Sequence, residues 1–286
     1  MKIRAPAKIN IGLRVLGKRV DGYHLIDTIM APVSLYDEIY ITKVARKYRR
    51  SRSLFTVTCN SPAVPGGAGN LVYRAAELIL DGVDIDQPLR IHIQKKIPVG
   101  SGLGGGSSDA AATLTGLNRF LRLDHSQQHL KKLGFSLGAD VPFFLGGKPA
   151  RARGVGERLS PIKFLPWNWA VIIYPGFPVA TGWVYRNFEA KLTKGIANTS
   201  IILPLKKRFG QRRLLVNDLE TVTLARYPRI NSLKRKLFDE GAAEALMSGS
   251  GSAVFGLFDS RGNAARAFTR LQKEDAVETF LVRLLT

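Results

Sequence analysis

Cysteine, acidic residues and long apolar runs are scarce in this sequence, and each scarcity excludes a class of protein. Cys59 is the one cysteine among 286 residues, which excludes an internal disulfide framework and fits a reducing compartment. No apolar run approaches the roughly 18 residues of a membrane-spanning helix. The first residues, "MKIRAPAKIN", contain no apolar stretch of an export signal. We therefore expect a soluble, cytoplasmic protein.

The shortage of acidic residues leaves a large positive charge. Asp and Glu total 22 against 43 Lys and Arg, which gives a net charge of +21. Basic residues concentrate in "KVARKYRRSR" (43–52) and "LKKRFGQRR" (205–213). Such runs occur on nucleic-acid surfaces and also on solvated faces of proteins that bind small anions. Neither run has the regularly interleaved aromatic residues of a base-stacking surface, so we favour small anionic substrates over nucleic acid.

The spacing of apolar residues predicts an α+β protein. Helices and strands follow one another irregularly, so a purely parallel sheet is not expected. We predict two domains, residues 1–158 and 159–286. Strand patterns occur at 2–17, 37–44, 54–59, 89–99 and 169–175, a hairpin pattern at 150–162, and helical spacing at 70–80, 107–121, 126–135 and 263–273.

The stretch "IPVGSGLGGGSSDAA" (97–111) contains five glycines within seven positions, directly before an alanine-rich helical pattern. Residues without side chains let successive backbone N–H groups face an anion, and the N-terminus of the following helix adds positive potential. Ser107 and Ser108 add hydroxyl groups. A simple helix cap needs fewer glycines, so the pattern predicts a phosphate cradle.

Two better-known phosphate loops fit this stretch less well. A Walker A loop requires a lysine directly after its last glycine, and here two serines follow. Gly100, Gly102 and Gly105 satisfy the dinucleotide pattern GxGxxG, and Asp124 lies about twenty residues further on, where that fold has an acidic residue. The segment around Asp124 is polar and helical, however, where the dinucleotide fold needs a second apolar strand.

Three further segments carry polar residues whose role the local sequence leaves open. In "APAKINIGL", strand alternation places Lys8 and Asn10 on one face, which also describes an ordinary polar strand. Tyr23 and His24 follow an Asp-Gly turn, and they suit either the recognition of a nucleobase or a plain hairpin. Asp140, in "SLGADVPFFLGG", is either the N-cap of a short helix or a catalytic carboxylate.

Together these segments resemble the superfamily of galactokinase, homoserine kinase, mevalonate kinase and phosphomevalonate kinase. Its three motifs correspond here to "PAKIN", "PVGSGLGGGSSDAA" and "MSGSGSAVF", in the expected order. Within that superfamily, "PAKINIGLRVLGKRVDGYHLIDT" and "LGADVPFFLGGKPARARGVGERL" resemble the 4-diphosphocytidyl-2-C-methyl-D-erythritol kinases. The resemblance covers nearly the whole chain and is weaker at 43–69 and 186–240.

The resemblance implies a fold and an activity. The fold would be α+β with two domains, an N-terminal one like domain 2 of ribosomal protein S5 and a C-terminal ferredoxin-like α/β sandwich, with the active site in the cleft between them. The activity would be transfer of the γ-phosphoryl group of ATP to the 2-hydroxyl of 4-diphosphocytidyl-2-C-methyl-D-erythritol, in the methylerythritol phosphate route to isoprenoid precursors. ATP and this alcohol are then the expected partners. Mg²⁺ is the expected cofactor, held mainly by phosphates and a loop serine.

The resemblance also implies a role for each matched residue. Asp140 would accept the proton of the substrate hydroxyl, and Lys8 would support charge at the reacting centre. The phosphates of ATP would contact the central loop, which comprises Pro98, Val99, Gly100, Ser101, Gly102, Leu103, Gly104, Gly105, Gly106, Ser107 and Ser108. Asn70 and Lys95 would lie near the adenine. The cytosine would lie between Tyr23 and Tyr185, and His24 would pair with its edge. Asn10 and Thr181 would hold the polar parts of the substrate. Gly249 and Ser250 would lie near its methylerythritol end. The Gly-Tyr-His triplet at 22–24 argues against a homoserine or mevalonate kinase, whose substrates carry no nucleobase.

Overall fold

The computed structural model describes residues 1–45, 54–188 and 215–286. The basic run at 205–213 and most of the run at 43–52 lie outside the described residues. The chain divides into two compact units, neither of them contiguous in sequence. The first unit comprises Met1–Ala7, Leu35–Val99 and Gly104–Gly147, and the second comprises Lys8–Ser34, Gly100–Leu103 and Lys148–Thr286.

Strands and helices both contribute to the described parts of the chain. The strands are β1 Lys2–Lys18, β2 His24–Lys43, β3 Phe55–Cys59, β4 Leu89–Gln94, β5 Ala150–Gly154, β6 Arg158–Pro161, β7 Trp169–Tyr174, β8 Glu244–Met247, β9 Val254–Phe258 and β10 Glu278–Arg283. The helices are α1 Leu71–Ile79, α2 Gly105–Leu121, α3 Gln127–Leu137, α4 Val141–Gly146, α5 Thr181–Asn187, α6 Glu220–Arg226, α7 Pro228–Asp239 and α8 Arg261–Leu271.

In the first unit, β4 lies between β3 and the C-terminal half of β2. It pairs in parallel with β3 and antiparallel with β2, and it alternately buries Leu89, Ile91 and Ile93. Helices α1 to α4 pack on one another. Helix α2 lies so close to β1 that a Cβ atom added at Gly116 would be 2.7 Å from Ile3.

In the second unit, four antiparallel strands form a sheet in the order β10-β7-β9-β8. Helices α7 and α8 cover it with their apolar faces, since every third or fourth residue of each helix is buried. The N-terminal half of β2 pairs with β5, and β5 pairs with β6. Residues 248–253 connect β8 to β9 and form the C-terminal glycine-rich loop. The core of this unit includes Val171, Ile173, Ile230, Leu233, Leu237, Val254, Phe258, Ala264, Ala267 and Leu271.

The α+β prediction is confirmed, and so are the hairpin at 150–162 and the helix with Asn70 as its N-cap. Several element bounds were wrong, and strand β4 ends at Gln94, five residues before the end of the 89–99 pattern. Helix α2 begins at Gly105, two residues earlier than the pattern indicates. Strand β2 begins at His24 and not at residue 37, because residues 26–33 are buried on both faces and show no alternation. The domain boundary at residue 158 stays a prediction. Among the described residues, no helix is long and apolar enough to cross a membrane.

Candidate active site

Lys8 and Asn10 project from the same face of β1, as their spacing predicts. Lys8 Nζ donates to Asn10 Oδ1 at 2.5 Å, and Asn10 Nδ2 donates to Thr28 Oγ1 at 2.9 Å. Thr28 in turn donates to the carbonyl of Gly12 at 2.7 Å. Lys8 is only 4% exposed, and an ammonium group so far from water needs polar partners. The chain of hydrogen bonds fixes the position of a buried positive charge.

The central glycine-rich loop has the backbone conformation that its composition predicts. Gly100, Gly102 and Gly104 have φ of +66°, +80° and +72°, a region that residues with a side chain rarely adopt. Gly104 occupies the N-cap position of α2, so the loop leads directly into the positive end of a helix of 17 residues. The backbone N–H of Lys8 donates to the carbonyl of Leu103 at 2.9 Å, which ties this loop to β1.

The C-terminal loop, residues 248–253, packs against the central loop within the second unit. Ser248 Oγ donates to the carbonyl of Gly102 at 3.0 Å, and the N–H of Ala253 donates to the carbonyl of Ser101 at 3.0 Å. A Cβ atom at Gly102 would stand 2.1 Å from the carbonyl oxygen of Ser248. Only glycine permits this approach of one backbone to another.

The same C-terminal loop also reaches the Lys8 side chain. Gly249, with φ of +56°, lies so close that an added Cβ atom would be 3.3 Å from Lys8 Nζ and 3.2 Å from Asn10 Oδ1. The neighbouring Ser250 Oγ is 2.8 Å from Thr181 Oγ1. The second unit therefore brings the C-terminal loop to residues that the resemblance assigned to the site, from positions up to 242 apart in the chain: Lys8, Asn10, Thr181, Gly249 and Ser250.

The predicted nucleobase residues are partly assembled. The rings of His24 and Tyr185 lie 5.2 Å apart at 32°, and Phe188 meets His24 edge-on at 6.3 Å. Burial, and secondly the charge of Lys18, lower the pKa of His24 below its usual value of 6.5, so the imidazole is neutral at pH 7. Tyr23 is 65% exposed. Its place in a sandwich with Tyr185 stays a prediction.

Asp140 belongs to the first unit and occupies the N-cap position of α4. Its side chain makes no capping hydrogen bond, although an N-cap aspartate ordinarily accepts one from the backbone two or three residues on. The interpretation of this residue as a simple helix cap is therefore wrong. Its pairing with Lys8 in catalysis stays a prediction.

The residues predicted to lie near adenine have structural partners in the first unit. Asn70 caps α1, and its Oδ1 accepts from the N–H of Val72 at 2.8 Å. Lys95 is buried, and its Nζ lies 2.5 Å from Asp37 Oδ2 and 2.7 Å from Asp109 Oδ2. Its ammonium group thus neutralises carboxylates. Contact of Lys95 with adenine stays a prediction, and its ammonium group already has two anionic partners.

The buried triad of Lys95, Asp37 and Asp109 carries one negative charge in excess when all three groups are ionised. Burial, reinforced by the neighbouring Asp37, raises the pKa of Asp109 to about 7 despite the attraction of Lys95. Burial opposes the charge of Lys95 as well, but the two carboxylates outweigh it and raise the pKa of that lysine. Asp37 Oδ1 accepts from the N–H groups of Lys96 and Ile97 at 2.5 and 2.8 Å. The triad thereby joins the residues after β4 to the first turns of α2, two segments that precede and follow the central loop in sequence.

Models of a known protein family match two parts of the chain. Residues 70–148 match the "GHMP kinases N terminal domain", and residues 205–276 match the "GHMP kinases C terminal" domain. Over 273 residues, the chain is 45% identical to a protein of Citrifermentans bemidjiense named 4-diphosphocytidyl-2-C-methyl-D-erythritol kinase, covering 96% of this chain and 95% of the relative. The chain belongs to the GHMP kinases, and within them to the 4-diphosphocytidyl-2-C-methyl-D-erythritol kinase family.

A second relative and a solved structure agree with this placement. A protein of Syntrophotalea carbinolica with the same name is 47% identical over 268 residues, covering 92% of this chain and 91% of that one. The crystal structure of a 4-(cytidine 5'-diphospho)-2C-methyl-D-erythritol kinase superposes with a TM-score of 0.79 at 36% identity, covering 99% of both chains. Homoserine kinase from Cytophaga hutchinsonii has a TM-score of 0.74 at 22% identity and shares the fold.

Sequence patterns did not identify several residues that support the candidate site of this GHMP kinase. Asp109 stands within the central motif, but nothing in the sequence links it to Asp37, which shares Lys95 with it. Asn217 and Glu220, which bind Gly249 of the C-terminal loop and the adjoining Met247, lie within 186–240, where the resemblance is weaker. Only the contacts of the folded chain identify them.

Proposed function

We propose that this GHMP kinase transfers the γ-phosphoryl group of ATP to the 2-hydroxyl of 4-diphosphocytidyl-2-C-methyl-D-erythritol, one step in the synthesis of isoprenoid precursors. The names of relatives about 45% identical over nearly the whole chain support this substrate. The observation that carries the proposal is the meeting of Lys8 with Gly249 and, through its backbone, with Leu103. A buried positive charge beside two glycine-rich loops suits the transfer of an anionic group.

The reaction needs a base, an electrostatic partner and an aligned phosphate. In the proposed mechanism, the carboxylate of Asp140 accepts the proton of the 2-hydroxyl as its oxygen attacks the γ-phosphorus. The bond between that phosphorus and the β,γ-bridging oxygen breaks, and ADP leaves with the electron pair. Lys8 stabilises the charge on the transferred group. Phosphoryl transfer depends on such positioning and electrostatics more than on covalent catalysis.

The cytidine end of the substrate would bind at His24. A neutral imidazole has one donor and one acceptor, which matches the mixed donor and acceptor edge of cytosine. The lowered pKa of His24 keeps the ring in this state at neutral pH. Tyr185, already against the His24 ring, would stack on one face of the base and Tyr23 on the other.

Mg²⁺ is the proposed cofactor, and the donor chemistry near α2 fits it. Ser108 Oγ is buried without a hydrogen-bond partner among the described residues, and Mg²⁺ prefers oxygen ligands, commonly those of substrate phosphates. Residues 1–45, 54–188 and 215–286 contain no cluster of three or more His, Cys, Asp or Glu suited to a metal ion. Ser108 would therefore hold the ion together with ATP. When bound, Mg²⁺ would neutralise charge on the phosphate oxygens.

The decisive experiment measures ADP release with the cytidine substrate, and separately with homoserine and mevalonate. We expect turnover with the first alone. Asp140→Asn should lower kcat by about 100-fold or more, in keeping with the loss of a general base, while leaving the dissociation constant of the cytidine substrate within about threefold. Asp81→Asn, at an exposed position of the same unit, is the matched control and should behave as the parent does. Equal turnover by Asp140→Asn and the parent would remove Asp140 from the mechanism.

A further inference from the structure

The C-terminal loop is held in place by side chains from one short segment, residues 217–223, called here the clamp segment. Asn217 is buried, with 4% of its surface exposed. Its Nδ2 donates to the carbonyl of Met247 at 2.8 Å and to the carbonyl of Gly249 at 2.7 Å. Its Oδ1 accepts from the N–H of Leu219 at 3.0 Å. The carboxamide thus uses both of its donor hydrogens and its acceptor, and no other side chain of this size offers the same set.

Two further side chains of the clamp segment bind the same loop. Glu220 Oε1 accepts from the N–H of Met247 at 2.8 Å, while its other oxygen lies 2.5 Å from Lys234 Nζ. Thr223 Oγ1 donates to the carbonyl of Ser250 at 3.2 Å. Three side chains therefore fix the backbone at Met247, the last residue of β8, and at Gly249 and Ser250 in the loop.

The clamp segment is also bound to the strand that carries Lys8. The N–H of Leu13 on β1 donates to the carbonyl of Val216 at 2.7 Å, and the N–H of Asp218 donates to the carbonyl of Leu13 at 2.9 Å. The segment therefore runs in parallel register with β1 beside Leu13. It holds both the strand that presents Lys8 and the loop against which Lys8 lies.

We infer that Asn217 is a positioning residue for phosphoryl transfer, which acts by holding Gly249 against Lys8 and Asn10. This inference rests on the proposed role of Lys8 in the reaction. A Cβ atom at Gly249 would be within 3.2 to 3.3 Å of both polar side chains, so the loop forms one wall of the Lys8 site. A wall that moves by about 1 Å lets the ammonium group leave its position, and errors of that size cost enzymes up to about 100-fold in rate.

The test compares Asn217→Ala with Asn118→Ala. Asn118 is the matched control because its side chain also bridges backbone groups, donating to and accepting from His125 at 3.1 and 3.0 Å, but in the first unit and outside the proposed site. Both variants lose similar hydrogen bonds, and both should lower Tm. Only Asn217→Ala should lower kcat, by about 10- to 100-fold, with the KM for ATP within about threefold of the parent. A merely structural role would lower Tm and leave kcat unchanged at temperatures well below the transition.

Two milder substitutions keep the inference testable if Asn217→Ala does not fold. Thr223→Val preserves the shape of the side chain and removes only the donor to Ser250, and it should lower kcat by about threefold or more. Glu220→Gln retains an acceptor for the Met247 N–H and should keep the parent kcat, whereas Glu220→Ala should lose activity. Parent kcat in Thr223→Val and Glu220→Ala would overturn the inference.

The outcomes separate this inference from the proposed function. A folded parent that does not phosphorylate the cytidine substrate would refute the proposed function. Turnover by the parent, with equal kcat in Asn217→Ala and Asn118→Ala, would refute the inference alone.

Discussion

Replacement of Gly102 by alanine tests whether the contact between the two glycine-rich loops is necessary. The added Cβ atom would stand 2.1 Å from the carbonyl oxygen of Ser248, and 3.0 and 3.1 Å from the backbone oxygen and nitrogen of Gly251. All three atoms belong to backbone, which cannot swing aside as the end of a long side chain does. The loop at 248–253 must therefore move away from the central loop.

Two effects add up to the expected loss of stability in Gly102→Ala. Gly102 has φ of +80°, and an L-residue in the left-handed region loses about 1–2 kcal/mol. Overpacking of a close contact adds about 1–3 kcal/mol. We expect Gly102→Ala to lower the free energy of unfolding by about 2–5 kcal/mol and Tm by roughly 4–20 °C, at the factor of about 2–4 °C per kcal/mol that holds for domains of about 150–250 residues.

Gly241→Ala separates the two effects. Gly241 also has a positive φ, +87°, but an added Cβ atom would meet nothing within 4 Å. Its substitution should show the conformational cost alone, about 1–2 kcal/mol, and leave kinetics unchanged. Thermal unfolding by circular dichroism gives the stabilities, and ADP release gives kcat and the KM for ATP.

The two variants should differ in rate more than in stability. Because Gly249 in the displaced loop lies against Lys8, Gly102→Ala should lose about 100-fold in kcat over KM for ATP. If Gly102→Ala and Gly241→Ala show the same Tm and the same kinetics, the close approach of the loops does not govern the site, and the reasoning fails.

Three other predictions concern single side chains. Lys95→Met leaves two buried carboxylates without their counter-charge and should cost about 3–5 kcal/mol of stability in urea unfolding. Lys2→Met removes a solvent-screened ion pair with Glu38 and should leave the free energy of unfolding close to that of the parent. Equal losses in the two variants would argue against the buried triad. The pKa of His24 is lower in the folded chain than its usual 6.5, so the unfolded chain binds the extra proton first and stability falls as pH drops below 6.5 towards the lowered pKa. His24→Gln should remove this part of the pH dependence, and an unchanged unfolding profile would contradict it. Asn70→Ala removes the N-cap of α1 and should lower stability by about 0.5–2 kcal/mol, and Asn70→Asp, which still accepts from Val72, should restore most of it.

The sequence alone determined features whose cause lies within a few residues of chain. Strand alternation put Lys8 and Asn10 on one face, and they are hydrogen-bonded to each other. Glycine composition predicted the positive φ angles of the central loop, and Asn70 before an apolar helical pattern predicted a capped helix. These properties follow from backbone geometry and local hydrogen bonding, which each short segment carries with it.

Local patterns gave an incomplete account of a residue, or none, wherever a distant residue decides its environment. Asp140 stands where an N-cap belongs, yet its carboxylate does not cap. The resemblance predicts Lys95 near the adenine, and it gives no indication that the folded chain pairs the ammonium group with Asp37 and Asp109. Burial of a charge in low dielectric requires a partner, and no local pattern names a partner 58 residues away.

Only the tertiary structure brought Gly249 to Lys8 and identified Asn217 as the residue that holds it there. In sequence these three residues belong to separate segments with no shared periodicity. In the second unit, the pairing of β1 with the clamp segment and the turn between β8 and β9 place them together. The sequence determined which chemical groups and local backbone conformations are available. Long-range strand pairing and packing decided which of those groups interact, because contacts between distant segments form only when the whole chain has folded.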